Sequence, residues 1–202
     1  MKEKLLAKSA EMFLNLGVKS VTMDEIAAEM GISKKTIYAH FSTKTKLIEA
    51  TALYVFENIS CGIDEIREEN KDPLEELYII KNFALDHLKD EKSSPQYQLQ
   101  KYYPKIFTTI KTRQQEMMKG LIMENLKRGI DQGVYRKDLP LDFTSRIYFV
   151  GMLGIKDREL FPDKIYSTNE LVEKHLEYHL RAIVTEKGLQ KLNELLNSTL
   201  QK

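Results

Sequence analysis

The sequence predicts an all-α protein of about nine or ten helices, a small three-helix N-terminal module followed by a larger helical domain. Three observations carry that reading. Apolar residues recur at three- and four-residue spacing through most of the chain, with no convincing two-residue alternation. The five prolines and nine glycines fall mostly between those periodic blocks. Capping signals open several of the blocks.

In chain order, the first block covers 2–16, with Leu6, Ala10 and Phe13 on one stripe and Gly17 as its stop. Thr22-Met-Asp-Glu25 is a capping box that opens a short second helix over 23–30, and Gly31 supplies the left-handed residue behind it. Ser33 caps a third helix to about residue 41, and Thr43 caps a long fourth one to about residue 70. Asp72-Pro73 opens a fifth helix to about residue 89. The polar stretch DEKSSP (90–95) leads into a sixth ending near residue 111, and a seventh covers about 113–132 before Gly133. Pro140 and Asp142 introduce the apolar FTSRIYFVGMLGIKD. LFPDKIYST is a loop, Thr168 or Asn169 caps a helix to about residue 187, and Gly188 separates a final amphipathic segment. The domain boundary is expected near residue 48, giving domains 1–48 and 49–202.

Charge is unevenly distributed. Residues 1–48 hold eight lysines against five acids, a balance of +3, while the whole chain is only +1. That asymmetry suits a local polyanion-binding surface on a near-neutral body. Cys61 is alone, so no intrachain disulfide is possible and a reducing compartment is expected. MKEKLLAKSAEMF scatters charges and has no apolar stretch, which argues against a signal peptide. The longest uncharged apolar run, IYFVGMLGI (147–155), is too short to span a bilayer. A soluble, cytoplasmic protein is expected.

Helices two and three stand in a specific relationship. Ile26 and Ala27 face inward, Gly31 makes the turn, Ile32 plugs it and Ile37 packs back from the third helix. Ala27 is small where the helices cross, and Gly31 tolerates positive φ. This is a helix-turn-helix. Ser33 as cap puts Lys34 and Lys35 in the first turn of helix three, and Thr43 puts Lys44 and Lys46 in the first turn of helix four. Cations there oppose the helix dipole. The sign reverses when a phosphate docks, so the expected partner of these lysines lies outside the chain. Solvated surface lysines are the plainer alternative.

Phe13, Gly17 and VTMDEIAAEMGISKKTIYAHFSTKTKLIEA (21–50) resemble the N-terminal domain of TetR-family transcriptional regulators. The resemblance rests on Thr22, Ile26, Ala27, Gly31, Ser33, Ile37, Tyr38, His40, Phe41, Lys44 and Leu47, and GIDQGVYRKDL (129–139) is similar to a recurring turn of the family. It implies a helix-turn-helix DNA-binding domain joined to a helical ligand-binding and dimerisation domain. It also implies phosphate contacts from Tyr38 and His40, whereas Phe41 is read as core. The candidate DNA-binding residues are Thr22, Ser33, Lys34, Lys35, Thr36, Tyr38, His40, Lys44 and Lys46. Thr36 and Lys35 suit base edges, because threonine meets a thymine methyl and lysine reaches guanine acceptors. Two positions depart from the family pattern. Lys35 stands where many members carry glycine, and Thr45 where many carry an acid.

By the same resemblance, the two apolar helices near the C-terminal end form a four-helix bundle with a second copy. The expected interface comprises Phe143, Ile147, Val150, Gly151 and Gly154, with Val172, His175, Leu176, His179, Leu180 and Ile183. His175 and His179 sit one turn apart like metal ligands, but Leu176 occupies the place where a metalloprotease motif needs glutamate. They are read as interface histidines, with no metal and no cofactor. An effector pocket is implied by the family, and Phe56, Ile59, Phe83, Tyr103, Phe107, Met117 and Leu121 are its candidate lining. Their aromatic and thioether character suits a fairly apolar ligand, although any helical core needs such residues. The expected function is a non-enzymatic, dimeric repressor that binds a palindromic operator and is released by a small molecule. The alternatives are a constitutive DNA-binding protein whose C-terminal domain only dimerises or meets a protein partner and, more remotely, a metal-dependent hydrolase.

Overall fold

The computed structural model describes residues 1–88, 95–157 and 159–199. Its helices are α1 (Lys2–Leu16), α2 (Met23–Glu29), α3 (Lys34–His40), α4 (Lys44–Glu68), α5 (Pro73–Leu88), α6 (Pro95–Tyr102), α7 (Pro104–Asp131), α8 (Leu141–Gly154), α9 (Thr168–Ile183) and α10 (Glu186–Thr199). The all-α expectation holds. Among the described residues the one β-type pairing is an isolated antiparallel bridge between Tyr135 and Val184. Packing divides the chain into two compact units, Met1–Asp64 with Ala84–Gln114, and Glu65–Phe83 with Gln115–Lys202.

The first unit is built around α1–α3. Leu5, Met12 and Phe13 of α1 meet Ile26 and Ala27 of α2, Ile37 of α3, Phe41, and Leu47 and Ile48 of α4, with Ile106 of α7 closing the cluster. Leu5 rather than Leu6 leads the α1 stripe, because buried positions 5, 9, 12 and 13 follow the helical repeat. Ile26 and Ile37 are fully buried, and each contributes about 1.5–3 kcal/mol through burial. Gly31 has φ +62°, Gly31 N–H donates to Ala28 O at 3.1 Å and Ile32 N–H to Ala27 O at 3.0 Å. That pair of bonds is the Schellman ending, so the amides of Gly31 and Ile32 both find acceptors on α2.

The second unit contains a buried polar network. Glu76, 1% exposed, pairs with Arg128. Asn125 Nδ2 donates to Glu76 Oε1 at 2.8 Å and to Pro73 O at 2.9 Å, and Asn125 Oδ1 accepts from the Tyr135 hydroxyl at 3.0 Å. Burial holds the Tyr135 phenol far above its usual range. Leu171, Val172, Leu176, Leu180, Ile183 and Leu192 are buried along α9 and α10.

Three boundaries differ from those expected. The sixth and seventh helices meet at Tyr103, not near residue 112. Pro104 has no N–H and disfavours helical backbone at the residue before it, so it opens α7 as a first-turn proline. Ser167, not Thr168 or Asn169, caps α9, its Oγ accepting from Glu170 N–H at 3.2 Å. Finally, α9 stops at Ile183, and Thr185 Oγ1 accepts from Gly188 N–H at 3.1 Å to open α10. Gly188 therefore lies inside α10, where its missing side chain leaves room for the Val134 carbonyl. Of the polar stretch 90–95, residues 90–94 lie outside the described residues. Among the described residues no helix is long and apolar enough to cross a membrane.

Candidate nucleic-acid interface

The starts of α2, α3 and α4 carry the candidate DNA-binding residues, and local hydrogen bonds shape each start. Thr22 and Glu25 form the full capping box. Thr22 Oγ1 accepts from Glu25 N–H at 3.2 Å, and Glu25 Oε2 accepts from Thr22 N–H at 2.7 Å. Ser33 Oγ accepts from Thr36 N–H at 3.1 Å and shares a hydrogen bond with Thr36 Oγ1 at 2.9 Å. Thr43 Oγ1 accepts from Lys46 N–H at 3.1 Å.

The four lysines differ in their surroundings. Lys34 Nζ lies 2.8 Å from Asp24 Oδ2 in an exposed pair, so this lysine also has a partner within the chain. Asp24 sits in the first turn of α2, where its charge suits the helix dipole, and it reaches the cation that the first turn of α3 disfavours. The hydrogen bond to Asp24 raises the Lys34 pKa above its ordinary value. Lys46 pairs with Glu49 at 2.8 Å. Lys44 Nζ donates to the carbonyl of Lys19 at 3.0 Å, and burial lowers its pKa while Glu25 pulls the other way. Lys35 is exposed, with no ionic or hydrogen-bond partner among the described residues. The Asp24–Lys34 pair links the starts of α2 and α3.

Around them, Thr22, Ser33 and His40 are exposed, Thr36 is half-buried and Tyr38 is 43% exposed. Phe41 is buried, as expected of a core residue. The arrangement offers free and paired ammonium groups, hydroxyls and one phenol on short helices with satisfied caps. Its chemistry suits phosphate oxygens and base-edge acceptors.

The residues expected at a dimer interface separate into two groups. Phe143, Ile147 and Val150 project from α8 at 63%, 48% and 57% exposure, with Gly154 open beside them. Val172, Leu176, His179, Leu180 and Ile183 lie inside the second unit of a single chain, none more than 6% exposed. The expected placement of these five at a surface is corrected: that face of α9 is covered by the chain itself. Gly151 also serves packing within the chain, since a Cβ there would strike the ring of His175. His175 Nε2 lies 3.1 Å from Tyr148 O, which makes it the donating nitrogen, and the Tyr148 ring stacks on His175 and tilts against His179 at centroid distances of 5.1 and 4.7 Å. Burial lowers both imidazoles, His179 to about 4. Among the described residues no three His, Cys, Asp or Glu side chains gather where a metal ion could sit.

The candidate effector residues are spread over both units. Phe56, Ile59, Tyr103 and Phe107 are half-buried in the first, while Phe83 and Met117 are half-buried and Leu121 buried in the second. The second unit also contains a cleft lined by Arg67, Asn70, Glu76, Glu124, Lys127 and Arg128, none of them foreseen. Arg67 pairs with Glu124 and Arg128 with Glu76, so its walls are ionic. Cys61 is exposed on α4.

Residues 5–51 match the family described as bacterial regulatory proteins, tetR family. The chain is 24% identical over 192 residues to the HTH-type transcriptional repressor KstR2 of Mycolicibacterium smegmatis, a match covering 93% of this chain and 92% of that one. It is 28% identical over 85 residues to the nucleoid occlusion factor SlmA of Vibrio cholerae, covering 42% of this chain and 43% of that one. A solved structure of a TetR transcription regulator from Haloarcula marismortui shares the fold with a TM-score of 0.74 at 19% identity, covering 91% of this chain and 98% of that one. The family match contains every candidate DNA-binding residue, from Thr22 to Lys46. Residues 5–51 are therefore a DNA-binding domain of the tetR family of bacterial regulatory proteins, and the relatives support a DNA-binding transcriptional regulator.

Proposed function

We propose that the protein is a homodimeric repressor that reads a palindromic operator with two copies of α3 and is released by a small, fairly apolar ligand. Thr22, Ser33, Lys34, Tyr38, His40, Lys44 and Lys46 contact the phosphate backbone, and Lys35 and Thr36 read base edges. Residues 1–48 form the DNA-binding domain and 49–202 the effector-binding and dimerisation domain, in a protein that works in the cytoplasm. The observation that carries the dimer is the α8 stripe. Phe143, Ile147 and Val150 recur at helical spacing, each about half exposed or more, on a helix whose opposite face is buried. A soluble protein rarely leaves such a stripe uncovered, and a two-fold axis would bury it against itself. Two heads related by that axis would then require a symmetric DNA site. The ligand rests on the family and on the half-buried aromatic and methionine residues named above.

Selection from random duplex DNA, combined with sedimentation, tests this reading. The parent should recover a palindrome and sediment as a dimer. Ile147→Glu should sediment as a folded monomer and bind the palindrome on the order of a hundredfold more weakly. Equal binding to any duplex would favour a constitutive DNA-binding protein, and a monomeric parent would remove the dimer.

A further inference from the structure

The turn between α1 and α2 is held from a distant part of the first unit. Gly17, at φ +89°, has no side chain, and the space is filled by the carboxamide of Gln98 from α6: a Cβ at residue 17 would come within 2.5 Å of Gln98 Nε2. Two residues on, Lys19 N–H donates to Gln98 Oε1 at 3.0 Å. The side chain of Lys19 is gripped from the same helix, its ammonium standing 4.5 Å from the centroid of the Tyr102 ring. The carbonyl of Lys19 in turn accepts from Lys44 Nζ at 3.0 Å. A single residue of the turn thus receives its orientation from α6 and passes it to the first cation of α4.

We propose that Gln98 is a positioning residue for DNA binding, fixing the α1–α2 turn so that the Lys19 carbonyl holds the Lys44 ammonium ready for an operator phosphate. An ammonium has three N–H donors, and one spent on the carbonyl leaves two for the phosphate. A free lysine side chain loses considerable rotamer freedom when it is pinned to an anion, and pinning it beforehand lowers that cost. The inference rests on the reading of Lys44 as a phosphate contact.

The test is a double-mutant cycle on the palindrome selected by the parent, with affinity measured across a salt series. Lys44→Ala should weaken binding and reduce the salt slope by about one. Gln98→Leu, similar in size but without the acceptor, should weaken binding roughly three- to tenfold and shorten the slope in the same direction. In the Lys44→Ala background, Gln98→Leu should cost nothing further. If Lys44→Ala binds like the parent, the reading of Lys44 fails. If Lys44→Ala weakens binding and Gln98→Leu does not, or the two losses simply add, the positioning role is overturned. Circular dichroism checks the fold of each variant, and Gln98→Met takes the place of Gln98→Leu should the latter unfold.

Discussion

The helix-turn-helix head and the α8–α9 pair treat their unusual residues in opposite ways. In the head, cations stand at helix starts where they cost stability, and most are tied at once to a nearby group: Lys34 to Asp24, Lys46 to Glu49, Lys44 to the Lys19 carbonyl. In the α8–α9 pair, apolar side chains of α8 are left in water while the His179 imidazole is buried and that of His175 half-buried. The head spends polar groups on order and keeps its surface for an anion. The pair keeps its polar groups inside and offers a bare apolar stripe. Under the proposed function, the two regions meet partners of different chemistry.

The sharpest contrast to test lies within the pair. Leu176 is fully buried, so Leu176→Ala should destabilise the protein by about 2–5 kcal/mol at any protein concentration. Ile147→Ala, on the α8 stripe, should lower the melting temperature only through its effect on self-association, so its loss should depend on protein concentration. Equal, concentration-independent losses in thermal and urea unfolding would erase the distinction between the two helices.

A smaller effect is expected from His179. Burial holds its imidazole at about 4, well below the ordinary 6.5. As pH falls, the unfolded chain takes up the proton first, so the stability from the neutral ring is full above pH 6.5 and drains between there and about pH 4. The total is on the order of 3 kcal/mol. His175 shifts in the same direction, and the Tyr148 ring packs against both. Glu173, Glu177, Arg181 and Tyr78 lie around the same stretch of α9, coupled electrostatically through Tyr78. His179→Leu should flatten the urea midpoint profile between pH 6.5 and 4, and an unchanged profile would mean that the ring titrates as if in water.

The smallest effect belongs to the head. Asp24→Asn removes the acid beside Lys34 without disturbing the core, because the pair is exposed. DNA affinity should rise by roughly two- to fivefold as the carboxylate that competes with phosphate for the ammonium is removed. A fall would show that Asp24 serves to aim the lysine.

The two regions were also unequally legible. The head follows rules that act within four residues. Thr22 with Glu25, Ser33 with Thr36, Thr43 with Lys46 and Gly31 at positive φ all stand where capping and turn chemistry place them. What escaped is longer in reach: Asp24 and Lys34 are 10 residues apart, Lys19 and Lys44 are 25 apart, and Gln98 comes from 79 residues beyond Lys19. In the pair, periodicity identified both helices as apolar but could not separate a face covered by its own chain from a face left bare. Val172 and Val150 look alike to a helical wheel, yet one is buried and the other 57% exposed. The Glu76–Arg128 network left no local trace, since an acid and a base 52 positions apart are ordinary on any surface helix. The break at Pro104 was readable, and the proline rule outranks the periodicity that obscured it.

Lys191 Nζ lies 2.5 Å from Asp72 Oδ2, across 119 residues of chain. A polypeptide emerging from its N-terminus carries the residues around Asp72 for a long interval before the ammonium that meets it exists. Most of the three-helix head can close from contacts within the first fifty residues, whereas the start of α5 must wait for α10. Local closure is fast and distant closure is slow. During synthesis the head should therefore take shape early, while the segment that opens at Asp72 stays unfinished until residue 191 has been made.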